Sequence, residues 1–313
     1  MHISRVFFKI SDILNHPLRN AVRYGKTEVV RNLRYGEGKR RRMDFYFAPD
    51  KADGKRLPVL FNVHGGGFVC GGKRYRSGIA RRFAARGFFV VNVDYSLAPD
   101  ERFPEGSADC IRALNALEKF SDSFPMDLDR LILTGDSAGG YYAAYAYAAA
   151  FSEQLGRKAG LPDYTGKKPV ALLTFFSPFN PVKCLENPAP MGITEDIGVC
   201  LFGSAKEEDL PFPDDIVDLT LSVNGDWGPV GMVVGNKDMF CGGQEVALIE
   251  ALKNAGVPYY LYTAREKGDA HCTHLFPFMP GTPKILAFAD EFLKSVTDCK
   301  SDGGSDGGGN EKE

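Results

Sequence analysis

Gly135-Asp136-Ser137-Ala138-Gly139-Gly140 sets a serine between glycines two residues to either side. Leu131-Ile132-Leu133-Thr134, just before it, has the length and content of a strand. Tyr141 to Phe151, rich in Ala and Tyr and free of Pro and Gly, reads as a buried helix. A serine on so sharp a strand-to-helix turn pushes its hydroxyl out of the sheet, and only glycine-sized neighbours let strand and helix approach so closely. The arrangement is that of a nucleophile elbow, and its chemistry is acyl transfer through Ser137.

A serine hydroxyl is a weak nucleophile near neutral pH, so a base must lie within hydrogen-bond reach. Of the five histidines, His2 and His16 fall in a first helix and His64 is bound into a glycine loop. His271 and His274 remain, both in the loop Gly268 to His274 that follows the strand Tyr259 to Tyr262. His271 stands nearer the strand end and is the first choice, with His274 as the alternative. A metal cluster of His271, Cys272 and His274 is disfavoured, because three crowded ligands have no distant partner; neither metal nor cofactor is expected. Asp238, a short loop beyond Val230 to Val234, suits the acid that orients the base, with a helix N-cap as its competing role. Asp226 precedes that strand and Glu245 falls inside the next helix, so both fit less well. The amides of Gly65, Gly66 and Gly67, which follow His64, can turn toward one oxyanion together with the Ala138 N–H. No G-K-[ST] follows the glycines, which disfavours a phosphate cradle. The order Ser137, Asp238, His271 is that of an α/β-hydrolase.

The rest of the chain supplies the strands whose ends would carry these groups. Pro58 to Val63 and Phe88 to Val93 are nearly continuous apolar runs, the mark of strands buried on both faces of a parallel sheet. Helices predicted at Gly78 to Arg86, Ala108 to Phe120, Gln244 to Ala255 and Pro283 to Val296 alternate with strands, including Val170 to Phe175. The fold class is therefore α/β, a mostly parallel central sheet with helices on both faces. Glu28 to Tyr35 and Met43 to Phe47 suggest a hairpin around Gly36-Glu37-Gly38, with the basic run Lys39 to Arg42 read as a solvated loop and strand edge. Residues 1–25 predict an amphipathic helix with Val6, Phe7, Ile10, Ile13 and Leu14 at helical spacing, placed to pack on the core or cover the site. Between Ser177 and Ser222 the alternation fails amid six prolines, which predicts an inserted cap. The expected divisions are 1–25 as an N-terminal cap region, 26–177 and 223–298 as core, 178–222 as cap insertion and 299–313 as a flexible tail of core-free composition.

At 313 residues, 44% hydrophobic and with a net charge of −2, the chain can bury a large core and offers no general attraction to nucleic acid or anionic membranes. A neutral small-molecule substrate is the expected partner. The seven cysteines are scattered and show no C-x-x-C pair, which points to reduced thiols in a cytoplasmic protein. No apolar run approaches the length of a membrane span.

His64-Gly65-Gly66-Gly67-Phe68, Asp94-Tyr95-Ser96-Leu97-Ala98-Pro99 with Phe103-Pro104, and Gly135-Asp136-Ser137-Ala138-Gly139-Gly140 occur in the order and at the separations of one family. From Pro58 to Val296 the chain resembles the hormone-sensitive-lipase-like family of α/β-hydrolase esterases. The resemblance implies a serine carboxylesterase acting on small-molecule esters with short or medium acyl chains, without metal or cofactor, capped by its N-terminal segment and an insertion, and often a homodimer. It also makes Asp136 a supporting carboxylate. Asp238-Met239-Phe240 stands where the family commonly has Asp-Pro-Leu, His271-Cys272-Thr273 where it has His-Gly-Phe, and Ser96 where an arginine is frequent. An amidase, arylformamidase or peptidase would use the same machinery, and a ligand receptor on a retired scaffold would lack the working histidine.

Overall fold

The computed structural model describes residues 2–298 apart from Glu186 and Pro188, so the tail expected at 299–313, with Cys299, lies outside the described residues. Eight strands make one sheet: β1 Glu28–Arg34, β2 Arg42–Phe47, β3 Leu57–Val63, β4 Phe89–Val93, β5 Met126–Asp136, β6 Ala171–Phe175, β7 Val230–Gly235 and β8 Tyr259–Ala264. Their order is β1-β2-β4-β3-β5-β6-β7-β8. β2 pairs antiparallel with both β1 and β4, and the pairings from β4 through β8 are parallel. The fold is therefore the expected α/β-hydrolase arrangement. Because β3, β5, β7 and β8 run in one direction, the loops after them emerge at a single edge, where such sheets hold their ligands.

β4 and β6 are buried throughout and β3 nearly so, which accounts for their unbroken apolar runs. The helix Ala138–Phe151 is buried from Ala138 to Ala150, and an apolar surface on every side suits a helix enclosed by the core. Its tyrosines keep their hydroxyls bonded inside that core: Tyr141 donates to Val217 O at 2.9 Å, Tyr145 to Ile216 O at 2.8 Å, and Tyr147 accepts from Gly228 N at 2.8 Å. The predicted helix at Ala108 begins earlier, at Glu105 directly after Pro104, and is followed by a short 3-10 turn, Leu117–Phe120.

Two expectations need correction. In the basic run Lys39 is exposed, but Arg40 and Arg41 are not solvated side chains. Arg40 donates to Tyr95 O and Gly71 O at 2.6 and 3.2 Å, and Arg41 pairs with Asp109 and Glu105 at 2.7 and 2.5 Å. These arginines fasten the hairpin to the loop and helix that follow β4, and acidic partners from distant segments are what draw them inward.

The first helix, Ile3–Arg19, forms as predicted but lies the other way round. Ser4 and Asp12 are buried, while Ile10, Ile13 and Leu14 are exposed. Asp196 of the helix Ile193–Phe202 accepts from the Ser4 hydroxyl and from His2, and Asp12 accepts from Arg19 at 2.7 Å. Polar partners therefore dictate the inward side, and Phe8 is the aromatic that goes in with them to line the pocket. The segment between β6 and β7 carries Pro181–Leu185, Ile193–Phe202 and Asp214–Val217 as helices rather than a structureless loop.

Candidate active site

Ser137 directly follows β5 with φ 52° and ψ −131°, a conformation that costs a non-glycine residue of order 1–3 kcal/mol and persists only where the surroundings enforce it. They do so here. Ser137 N donates to Phe175 O at 2.9 Å, and Ser137 O accepts from Gly140 N and Tyr141 N at 2.9 and 3.3 Å. A Cβ on Gly135 would stand 2.5 Å from Gly139 O, and one on Gly139 would overlap the carbonyls of Val63 and His64. Strand and helix thus approach as closely as the glycine spacing requires.

His271, on the loop after β8, places Nε2 2.8 Å from Ser137 Oγ. Its Nδ1 lies 2.8 and 2.9 Å from the two Asp238 oxygens. With the proton on Nδ1 donated to Asp238, Nε2 is left to accept from the serine hydroxyl. Asp238 follows β7 and also accepts from the amides of Phe240 and Cys241 at 2.9 and 3.1 Å. Those amides belong to a turn, and the helix beyond it, Gln244–Asn254, has Gly243 as its N-cap, so the competing N-cap role weighed for Asp238 is not the one it takes. Burial raises its pKa, but His271 and those amides outweigh the effect and hold it below the usual carboxylate range. Burial disfavours the His271 imidazolium, the Cys272 sulfur and Asp238 favour it, and the balance lies well above an ordinary histidine. Among the described residues no hydrogen bond joins Asp226 or Glu245 to His271.

His274 does not reach Ser137. Its ring stacks on Phe175 at 4.3 Å and on Phe176 at 5.7 Å, and burial lowers its pKa to about 3. The suggested cluster of His271, Cys272 and His274 does not come together as a ligand set among the described residues. Asp238, Cys241 and His271 do lie close enough to share an ion, as do His2, Asp196 and Cys200. In the first group both imidazole nitrogens are already hydrogen-bonded, to Asp238 and Ser137. In the second, Asp196 already accepts from His2 and Ser4.

The glycine loop after β3 lies against the elbow. A Cβ on Gly65 would meet Asp136 O at 2.6 Å, so this residue is held to glycine by packing behind the serine. Gly66 and Gly67 have φ of 135° and 58°, and their N–H groups, like that of Ala138, donate to no protein acceptor among the described residues. Gly67, Ala138 and Ser137 line a pocket of about 40 Å3 walled by Phe8, Phe68, Ile197 and Phe240.

One member of the site escaped the sequence. Arg76, in the turn after β3, donates from Nε and Nη2 to both oxygens of Asp136 at 2.7 and 2.6 Å, and both residues are almost wholly buried. Sixty residues separate the two, and nothing in the spacing links them. Burial would raise the Asp136 pKa, but Arg76 overrides it and holds it far below the carboxylate range. Such a carboxylate adds stability that is complete above the ordinary carboxylate pKa and is lost as pH falls below it. Arg76→Met strands a buried charge and is expected to cost about 3–5 kcal/mol near neutral pH. The deficit should shrink toward pH 4, where the isolated Asp136 takes a proton. Urea denaturation at both pH values measures it, and an equal or negligible loss at the two would rule the pairing out.

A family model described as the alpha/beta hydrolase fold matches residues 60–275, more than half of the chain. The chain belongs to the hormone-sensitive-lipase-like family. Esterase LipI of Mycobacterium tuberculosis is 37% identical over 100 residues, covering 32% of this chain and 31% of LipI. Esterase LipQ of the same organism is 33% identical over 121 residues, covering 38% and 29%. The matched segments thus span about a third of these relatives. Among solved structures, Esterase B from Lactobacillus rhamnosis superposes with a TM-score of 0.81 at 20% identity, covering 95% of this chain and 96% of that one. The esterase from Pyrobaculum calidifontis gives 0.73 at 23%, covering 94% and 92%; at these identities the likeness is one of fold. Against the family's frequent arginine, Ser96 here donates its hydroxyl to Asp109 at 2.6 Å, and Arg41 and Arg112 supply that carboxylate's guanidinium partners at 2.7 Å each.

Proposed function

We propose that the protein is a serine carboxylesterase with Ser137, His271 and Asp238 as its triad. The single observation that carries this reading is the unbroken relay from Asp238 through His271 to Ser137 Oγ, with every link between 2.8 and 2.9 Å. His271 Nε2 takes the hydroxyl proton as Oγ attacks the ester carbonyl. The oxyanion is held by the N–H groups of Ala138 and of the Gly65-Gly66-Gly67 loop. Collapse breaks the ester bond, His271 returns the proton to the departing alcohol, and a water activated by the same imidazole releases the acid from the acyl-enzyme. No step calls on a metal or cofactor.

Residues 1–25 and 178–222 act as the cap, which is supported by Phe8 and Ile197 reaching the pocket. The small cavity of about 40 Å3 and its apolar walls suit short acyl chains. The unpaired state of the described cysteines suits a reducing, cytoplasmic setting.

Two measurements on one preparation test the proposal. A fluorophosphonate probe is expected to label Ser137 stoichiometrically, and hydrolysis of a chromogenic ester series is expected to peak at short acyl chains and fall as the chain lengthens. An unlabelled Ser137 in folded protein would end the catalytic reading; a rising profile would end the short-acyl one alone.

A further inference from the structure

The first helix presents to solvent what amphipathic helices usually hide. Ile3, Phe7, Ile10, Ile13, Leu14 and Leu18 form one exposed stripe, Leu14 at 69%, along about 25 Å of helix. Scattered exposed apolar residues are ordinary, but a continuous stripe marks an interaction face. Charge identifies what it faces. Residues 2–26 carry Arg5, Lys9, Arg19, Arg23 and Lys26 against a single acid, Asp12, in a chain whose net charge is −2. Asp12 is buried and engaged by Arg19, and Arg5 is paired with Asp100, whereas Lys9 on the helix and Arg23 and Lys26 just beyond its end are exposed.

We infer that this helix docks the protein on an anionic phospholipid bilayer, its apolar stripe sunk among the acyl chains and its flanking cations at the headgroups. An outward apolar face bordered by Lys and Arg is the pattern of a helix lying in the membrane interface. Two other occupants fit less well. A second copy would bring identical cations against one another along the seam. The chain beyond residue 298 is made of Gly, Ser, Asp, Glu, Lys and Asn apart from Cys299, and has no apolar residues to cover the stripe. Docking goes beyond the proposed esterase activity and does not depend on it. It has a geometric consequence all the same: Phe8, on the inner side of the same helix, lines the pocket that Ser137 opens into, so the pocket sits directly beneath the element that meets the lipid.

The full chain should be sedimented with vesicles of phosphatidylcholine alone and with vesicles in which phosphatidylserine makes up about a third of the lipid. Binding is expected to the second and to weaken as salt is raised. Leu14→Asp should lower the partition at least about tenfold, and Lys9→Glu about fivefold or more. Both positions are exposed, so the thermal midpoint should not move. Should Leu14→Asp fail to fold, a polarity-sensitive dye on Leu14→Cys replaces it, with a blue shift expected on the anionic vesicles only. Absence of binding, equal binding to both vesicles, or retention by Leu14→Asp overturns the inference. So does a concentration-dependent dimer that Leu14→Asp dissociates, which would give the stripe to a second copy.

Discussion

Replacing His271 with alanine is expected to lower kcat on a chromogenic short-chain ester by about five to six orders of magnitude, with little change in KM. The ring is the only base within reach of the Ser137 hydroxyl among the described residues, and the alanine variant leaves that hydroxyl with its unassisted nucleophilicity. His274→Ala should separate cleanly from it. His274 is a buried ring stacked on Phe175 and Phe176, so its loss opens a cavity and costs about 2–5 kcal/mol of stability while kcat in the folded fraction stays within a few-fold. Rates normalised to fluorophosphonate-titrated enzyme for wild type and His274→Ala, and to folded protein for His271→Ala, distinguish the two. Equal and mild losses in both variants would remove His271 from the mechanism.

Asp238→Asn should cost about four orders of magnitude in kcat, because an amide no longer holds the imidazole in the tautomer that leaves Nε2 free to accept. It should also move the pH profile, and the sign is determined. The base works only when neutral, so kcat/KM must rise with pH through the His271 pKa, which lies well above 6.5 in the wild type, and then level off. Removing the carboxylate charge withdraws support from the imidazolium and lets burial pull that pKa down. The acid limb of the variant should therefore lie at lower pH than that of the wild type, on a much lower plateau. A limb that stayed in place or moved up would mean that Asp238 does not face the base electrostatically.

Much of this site was legible because it is built from short motifs at strand ends. The glycine spacing around Ser137 exists to admit the crossing of two backbones, and strand order fixes where the loops bearing Asp238 and His271 emerge. Local sequence carries the first, whereas for the second it carries only that those loops follow strands, the order of the strands being set by their pairing in the sheet. It carried less about which histidine serves, since His271 and His274 share a loop and only the turn at Cys272, with φ 61°, sends one ring to the serine and the other under Phe175. Arg76 was invisible because its partner is fixed by tertiary packing, and Arg40 and Arg41 were misjudged for the same reason. The first helix shows the limit of periodicity: the spacing established that it has two unlike faces, but whether the apolar one turns inward depended on Asp196 and Arg76, far along the chain.

Arg76 has a second neighbour besides Asp136. Its Nη1 stands 3.8 Å from Asp12 of the first helix, so one guanidinium joins the residue before Ser137 to a residue of a segment outside the sheet. Changes at these three positions are therefore not independent. A lineage that lost the first helix, or exchanged Asp12 for an apolar residue, would shift the charge balance at the back of the elbow, and compensation would have to come at position 76 or 136. Positions 12, 76 and 136 should vary as a set wherever this arrangement is inherited.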